Sequence, residues 1–162
     1  QNTNLLLAFL RDHNTARSVL DVFNDLYAMF GRETYCRLFP VILTDRGSEF
    51  SNPVPIEQDE NDELRSLVFY CNPSAPYQKG GIEVAHGLVR RVLPKGKSFD
   101  DLQQEDIDLM LSHINSYKRG KLNSRSAYQL FNFIYGDDIL PKLNIREIEA
   151  NDIVLSPKLL KK

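Results

Sequence analysis

Three short apolar runs alternate with segments of helical periodicity, and this alternation constrains the fold more than any other feature. The runs cover residues 5–10, 39–43 and 66–71, and each has the length and composition of a strand. Apolar residues at helical spacing follow the first and the third run. The order strand, helix, strand, strand, helix, helix predicts an α/β fold whose sheet has only three clear strands.

The helical segments have recognisable ends. Asn14 or Thr15 can cap a first helix that Gly31 would end. A second helix is predicted to begin near Lys79 or Gly80 and to end before Pro94. Further helices are predicted for residues 103–117, 126–135 and 137–143, an acidic loop for residues 52–65, and an extended piece for residues 153–155.

Length and composition predict one globular domain. The chain has 162 residues, of which 42% are hydrophobic, enough for a core. We divide it into residues 1–117 and a C-terminal helical extension of the same domain, residues 118–162. No apolar run approaches the roughly 20 residues that span a bilayer, so we expect a cytoplasmic protein without a membrane partner. Cys36 and Cys71 are isolated in apolar surroundings and are expected to be reduced core residues.

The net charge of −2 does not by itself favour a nucleic-acid partner, which must be argued from local charge. The dense basic cluster consists of Arg90, Arg91, Lys95 and Lys97. It can be an edge that contacts phosphates or a solvated helix end, and the sequence leaves both open. A later basic group comprises Lys118, Arg119, Lys121 and Arg125.

Asp45 lies where the second apolar run ends, in the stretch "LTDRGSEF". Functional side chains often follow buried strands, because a rigid element holds them at the solvent. The alternative is a turn aspartate that accepts backbone hydrogen bonds before Gly47. We expect Gly47 to let the backbone turn away from this acid.

Glu83 shares one stripe of the second helix with Lys79, His86, Gly87 and Arg90. It can be a surface residue paired with Lys79. It can also converge with Asp45 on Mg²⁺ or Mn²⁺, which take oxygen ligands and assist phosphodiester chemistry. A pair of acids that hydrolyses sugars is a further alternative, disfavoured by the absence of tryptophan.

Three motifs carry a specific resemblance: "LTDRGSEFSNP", "FYCNPSAPYQKGGIEVAHGLVRRVLPKGKSFD" and "INSYKRGKLNSRSAYQLF". They resemble the catalytic domain of DDE-type bacterial insertion-sequence transposases of the IS-thirty group, kin to retroviral integrases. The resemblance implies a ribonuclease-H-like fold, with Asp45 as the second acid of the triad and Glu83 as the third. The two acids are separated by 37 residues (83 − 45 − 1).

The resemblance also implies partners and cofactors. Two Mg²⁺ or Mn²⁺ ions, double-stranded DNA at transposon ends and target, and a homo-oligomer are expected of the family. The residues expected to contact DNA are Lys79, His86, Arg90, Arg91, Lys95 and Lys97.

The resemblance begins at the third strand of the family fold, so the first two strands and the first aspartate are expected to be absent. Asp12 follows the first apolar run in a polar turn and suits helix entry rather than the triad. Arg46, and the apolar pair Val84 and Ala85, replace residues that are polar in the family.

The predicted function is therefore part of a transposase catalytic domain for metal-dependent DNA cleavage and strand transfer, in DNA transposition, integration and recombination. We expect the chain to be inactive alone. The alternative is a non-catalytic module for DNA binding or self-association. The sheet is expected to be unstable, or rearranged so that residues 5–10 pair directly with residues 39–43.

Overall fold

The structure is a computed structural model that describes residues 3–72 and 80–160, with the backbone alone for residues 80–83. The chain divides into two compact units. One comprises Arg11–Gln78, and the other comprises Gln1–Leu10 together with Lys79–Lys162. The boundary expected after residue 117 stays a prediction.

The unit of residues 11–78 begins with helix α1, Ala16–Leu38. Thr15 caps it as predicted, because its hydroxyl accepts a hydrogen bond from the Ser18 N–H at 3.1 Å. The Ser18 hydroxyl in turn accepts from the Thr15 N–H at 3.3 Å. Gly31, at φ 72° and ψ 164°, breaks the helix where an end was predicted, but the chain resumes helical form as far as Leu38.

The sheet of this unit has two strands, β1 at Val41–Thr44 and β2 at Leu67–Tyr70. They pair in parallel, from Val41 opposite Leu67 to Thr44 opposite Tyr70. Both strands were predicted. Parallel strands have their carboxyl ends at the same edge, so the segments after β1 and β2 leave the sheet together.

The segment between the two strands is packed rather than a simple loop. It contains a 3-10 turn at Ser48–Phe50 and the short helix α2 at Val54–Glu57. Ile56 is 3% exposed, and Arg65 is buried to a similar degree. The prediction of a loop for residues 52–65 therefore missed a packed helix and an internal arginine.

The second unit is mostly helical. Its helices are α3 at Gly80–Val92, α4 at Gln104–Ser116, α5 at Ala127–Tyr135 and α6 at Ile139–Lys142. All four were predicted to within a few residues. A short antiparallel hairpin, β3 at Lys118–Arg119 and β4 at Arg125–Ser126, was not predicted.

Helix α4 is buried from Ile107 onward except at Leu109, and its polar side chains after the first turn are buried as well. Three of them accept hydrogen bonds from the backbone of the C-terminal segment. Ser112 accepts from the Arg146 N–H, Ser116 from the Ile148 N–H, and His113 Nδ1 from the Val154 N–H. The C-terminal segment is thus held by helix side chains, and residues 153–155 form no strand.

The prediction of a strand at residues 5–10 is wrong. The Leu6 N–H donates to Asn115 Oδ1, and Asn115 Nδ2 donates to the Leu6 carbonyl, both at 2.8 Å. Gln104 likewise accepts from the Leu10 N–H at 2.9 Å. Amide side chains of α4 take the place of a neighbouring strand, and the expected direct pairing with residues 39–43 is wrong for the same reason.

Two further expectations concern the cysteines and the membrane. Cys71 is buried and Cys36 is half-buried, and both are free thiols. Across residues 3–72 and 80–160, no helix combines the length and apolar composition that crossing a bilayer demands.

Candidate catalytic site and basic helix

Asp45 follows directly on the carboxyl end of β1. The preceding residue, Thr44, is buried at 6% exposure, whereas Asp45 itself is exposed. Its position opposite the end of β2 follows from the parallel register, in which Thr44 pairs with Tyr70. A carboxylate is therefore presented to solvent from the end of a fixed strand.

Hydrogen bonds define the loop after Asp45. Asp45 Oδ1 accepts from the Gly47 N–H at 3.1 Å, which closes a tight turn. The Tyr70 hydroxyl donates to the Phe50 carbonyl, so the end of β2 anchors the far end of the loop. Both interpretations of Asp45 remain compatible with this geometry, because one oxygen serves the turn while a carboxylate has further acceptor positions.

Gly47 has a neighbour that the sequence did not reveal, the side chain of Glu49. Its φ of −60° and ψ of 151° are open to any residue, so the expectation that glycine supplies a special turn here is wrong. A Cβ at this position would instead lie 2.6 Å from Glu49 Oε2 and 2.8 Å from Glu49 Cδ. Glycine makes room for a second carboxylate beside the loop of Asp45.

Asp45 and Glu49 lie on either side of Gly47, and carboxylate oxygens are ligands that Mg²⁺ and Mn²⁺ prefer. Two acids do not by themselves make a metal site. Within the described part of the chain, no three acids, histidines or cysteines gather closely enough to hold a metal. The Glu83 side chain lies outside the described residues, so its place relative to this edge stays a prediction.

Helix α3 carries Glu83, His86, Arg90 and Arg91 of the remaining predicted site residues, Lys95 and Lys97 follow it, and Lys79 lies outside the described residues. The inner face of α3 is formed by Ala85, Leu88 and Val92, which are 7%, 6% and 1% exposed. His86 and Arg90, one turn apart, lie on the solvent side. The exposed stripe predicted around Glu83 is thus present for the members whose side chains are described.

The basic cluster extends from the last turn of α3 into the following turn. Its side chains are all exposed: Arg90, Arg91, Lys95 and Lys97. The ion pairs found among the described residues do not involve these four cations. Their charge is available to solvent or to an anionic partner.

A cluster of titratable groups with shifted pKa values lies elsewhere, in the unit of residues 11–78. Asp59 accepts hydrogen bonds from the Tyr27 hydroxyl at 2.8 Å and from Arg32 Nη1 at 3.2 Å. The Tyr27 hydrogen bond, together with the Asn61 and Glu63 N–H groups and Arg32, lowers the pKa of Asp59 below its usual value. Burial, reinforced by Asp59, raises the pKa of Tyr27. Both carboxylate oxygens of Asp59 accept hydrogen bonds that hold the turn of residues 59–63, so we interpret this cluster as structural.

Sequence comparison relates the chain to curated transposases over part of its length. It is 36% identical over 63 residues to the transposase for insertion sequence element IS1086 of Cupriavidus metallidurans, covering 39% of this chain and 19% of that protein. It is 29% identical over 63 residues to the transposase InsI of insertion sequence element IS30A of Escherichia coli K12, covering 39% and 16%. The ORF3 protein of Spiroplasma virus SpV1-R8A2 B, which carries an integrase name, is 30% identical over 120 residues, covering 74% and 35%.

The chain is a relative of the insertion-sequence transposases. The resemblance noted in its motifs is thereby confirmed at the level of the family. No family model matches the chain, and no solved structure matches it significantly.

This transposase relative spans a minor part of the proteins that it matches. Its coverage of the three relatives named above ranges from 16% to 35% of their length. Two of these three relatives are named as transposases of insertion sequence elements. The structure adds a mixed α/β fold with small sheets and several helices.

Proposed function

We propose that this chain forms part of a ribonuclease-H-like catalytic core that cleaves DNA and transfers strands in transposition. The observation that carries the proposal is the position of Asp45, exposed at the carboxyl end of a parallel strand in a relative of transposases. In α/β sheets, ligands are bound at this edge, because rigid strands aim side chains into the space beyond them.

Asp45 and Glu83 are the proposed ligands of Mg²⁺ or Mn²⁺. When two such ions are bound, they stabilise the attacking and the leaving oxygen of a phosphodiester. In this proposal the residues of the chain hold and orient the metal: Asp45 contributes one carboxylate after β1, and Glu83 contributes another from α3. The hydrogen bond from the Gly47 N–H restricts the rotation of the Asp45 carboxylate, which favours a fixed donor geometry.

The chemistry requires a third acid. The resemblance assigns only its second and third acids to this chain, so we expect the 162-residue chain to bind metal weakly and not to cleave DNA by itself. A homo-oligomer and a cytoplasmic location, on the nucleoid when DNA is bound, belong to the same proposal.

Double-stranded DNA is the proposed partner of the basic side of α3. Lys79, His86, Arg90, Arg91, Lys95 and Lys97 are the proposed contacts. The exposure of the last four supports this role, because phosphate contacts need accessible positive charge and little else.

Metal-directed backbone cleavage tests the ligand assignment directly. Fe²⁺ bound in place of Mg²⁺ reduces added hydrogen peroxide to hydroxyl radical and hydroxide, the radical cuts the nearby backbone, and ascorbate returns the resulting Fe³⁺ to Fe²⁺. We expect cuts near residues 45 and 83 that disappear together in Asp45→Asn and in Glu83→Gln, while the exposed control Asp137→Asn leaves them unchanged. Cuts at residue 83 that persist in Asp45→Asn would show that the two acids do not share a metal.

A nicking assay tests the need for a third acid. Supercoiled plasmid is incubated with the chain and Mg²⁺ or Mn²⁺, and we expect no nicked product above that of the Asp45→Ala variant. Nicking that is lost in both Asp45→Ala and Glu83→Ala would overturn the expectation of inactivity. Plasmid binding without metal-dependent cuts at residues 45 and 83 would favour the non-catalytic module.

A further inference from the structure

We propose that the hairpin formed by β3 and β4 is a second DNA-contacting element, which touches phosphates through Lys118, Lys121 and Arg125. We call residues 118–126 the basic hairpin. The proposal rests on the proposed function for its partner, DNA, and gives a role to a surface within the third motif for which the resemblance implied none.

Charge is the first argument. The 28 residues between Asp108 and Asp137 (137 − 108 − 1) contain no carboxylate, although the chain as a whole has a net charge of −2. The same stretch contains four lysines and arginines, and all four lie in the basic hairpin. Lys118, Lys121 and Arg125 are exposed, and the ion pairs found among the described residues do not involve them.

The strand register is the second argument. Arg119 lies directly opposite Arg125 in the antiparallel pair, an arrangement of like charges that costs stability. Arg119 is half-buried, and its two terminal nitrogens lie 3.5 Å from the carbonyl oxygens of Asn4 and Ile114, at the limit of hydrogen bonding. Its Nε is buried without a partner among the described residues. The hairpin holds positive charge that the described residues do not neutralise, so an anionic partner would relieve a cost already present in the fold.

The shape of the hairpin is the third argument. The loop between the two strands contains a 3-10 turn at Gly120–Leu122, followed by Asn123 and Ser124 in the left-handed conformation, at φ 52° and 59°. Lys121 precedes this left-handed pair and Arg125 follows it. A loop with exposed cations on both sides and no carboxylate suits the phosphate backbone of a duplex.

An exposed aromatic ring completes the surface. Phe133 on α5 is 82% exposed, and the Arg125 guanidinium carbon lies 6.0 Å from the centre of its ring. The ring braces the guanidinium and leaves a face free to pack against a sugar or an unstacked base.

The salt dependence of DNA affinity tests the proposal. Fluorescence anisotropy with a labelled duplex is measured from low to moderate salt for the full chain and for the triple variant Lys118→Ala, Lys121→Ala, Arg125→Ala. Each lost phosphate contact lowers the slope of log K against log salt by about 0.9, so we expect the triple variant to be shallower by about 2 to 3. Its substituted side chains are exposed, and unchanged thermal melting verifies that it folds.

A second triple variant is the matched control. Lys142→Ala, Arg146→Ala and Lys158→Ala also remove three exposed cations, and both variants have a net charge of −5 (−2 − 3). The control should keep the slope of the unmodified chain. An equal change in both variants, or none in the hairpin variant, overturns the proposal.

Phe133→Ala should weaken binding about fivefold without changing the slope, because the ring is uncharged. A Phe133→Ala variant with unchanged DNA affinity but a smaller sedimenting species would show instead that the ring belongs to a protein interface.

The two proposals fail in different ways. The hairpin proposal alone is overturned if the hairpin variant binds DNA like the unmodified chain while the double variant Arg90→Ala, Arg91→Ala binds more weakly. The catalytic assignment alone is overturned if no metal-directed cuts occur at residues 45 and 83 while the hairpin variant still changes the salt dependence of DNA affinity. No binding by the unmodified chain at low salt overturns both DNA contacts.

Discussion

Replacement of Asn115 by alanine should detach the N-terminal segment from α4. Asn115 is fully buried, and its amide both donates to and accepts from the backbone of Leu6 at 2.8 Å. The substitution leaves two backbone groups without partners, and each such group costs about 1 to 3 kcal/mol when water cannot replace the bond. Because Leu6 is half-buried, water recovers part of that loss, and we expect a total of about 2 to 4 kcal/mol.

Hydrogen exchange of the Leu6 amide, together with urea unfolding followed by circular dichroism, measures this effect. The comparison variant is Gln104→Ala, which removes the bond from the Leu10 N–H together with the bonds that Gln104 donates to the Ala8 carbonyl and to Asp108. Leu10 is 37% exposed, so water can serve its N–H, and this variant should leave the protection of the Leu6 amide unchanged. An Asn115→Ala variant that keeps the protection of Leu6 would refute the idea that side-chain amides replace a neighbouring strand.

Three further perturbations have defined outcomes. Burial lowers the pKa of His113, so the unfolded chain binds the proton more readily than the folded chain does. The free energy of unfolding should therefore be constant above about pH 6.5 and fall below it by at most about 1.4 kcal/mol per pH unit. Urea unfolding at a series of pH values measures this, and the His113→Asn variant should show no such fall. Arg65→Met should cost about 3 kcal/mol in thermal unfolding, because the buried guanidinium donates to two backbone carbonyls and to a side-chain amide. Gly47→Ala should change stability by less than about 1 kcal/mol, since only the flexible end of Glu49 must move, yet it should displace that carboxylate and alter the metal-directed cuts near residue 45.

Local pattern was sufficient for most of the secondary structure. The periodicity of α3 and α4 and the cap at Thr15 depend on neighbours within one or two turns, so the sequence alone predicts them. The end predicted at Gly31 is only a break, because the helix continues to Leu38. The strands β1 and β2 were recognisable for the same reason. The basic hairpin was missed because its strands have two residues each, too few for any periodicity to show.

The candidate site could be anticipated only in part. The sequence predicts Asp45 at the end of a strand, and the structure has it there. The role of Gly47 could not be deduced, because it depends on where the side chain of Glu49 folds back. Glu83 was identified from the motif, and its side chain lies outside the described residues.

The sequence by itself determined the relationship to transposases, the positions of most of the helices and the two acids proposed to hold metal, since these depend on residue type and spacing along the chain. The tertiary structure decided which partners satisfy the backbone. An apolar run such as residues 5–10 carries unsatisfied N–H and C=O groups wherever it lies, and a strand or the side chains of a buried helix can satisfy them equally well. Asn115 and Gln104 reach those groups from α4, and only the packing of that helix brings them there.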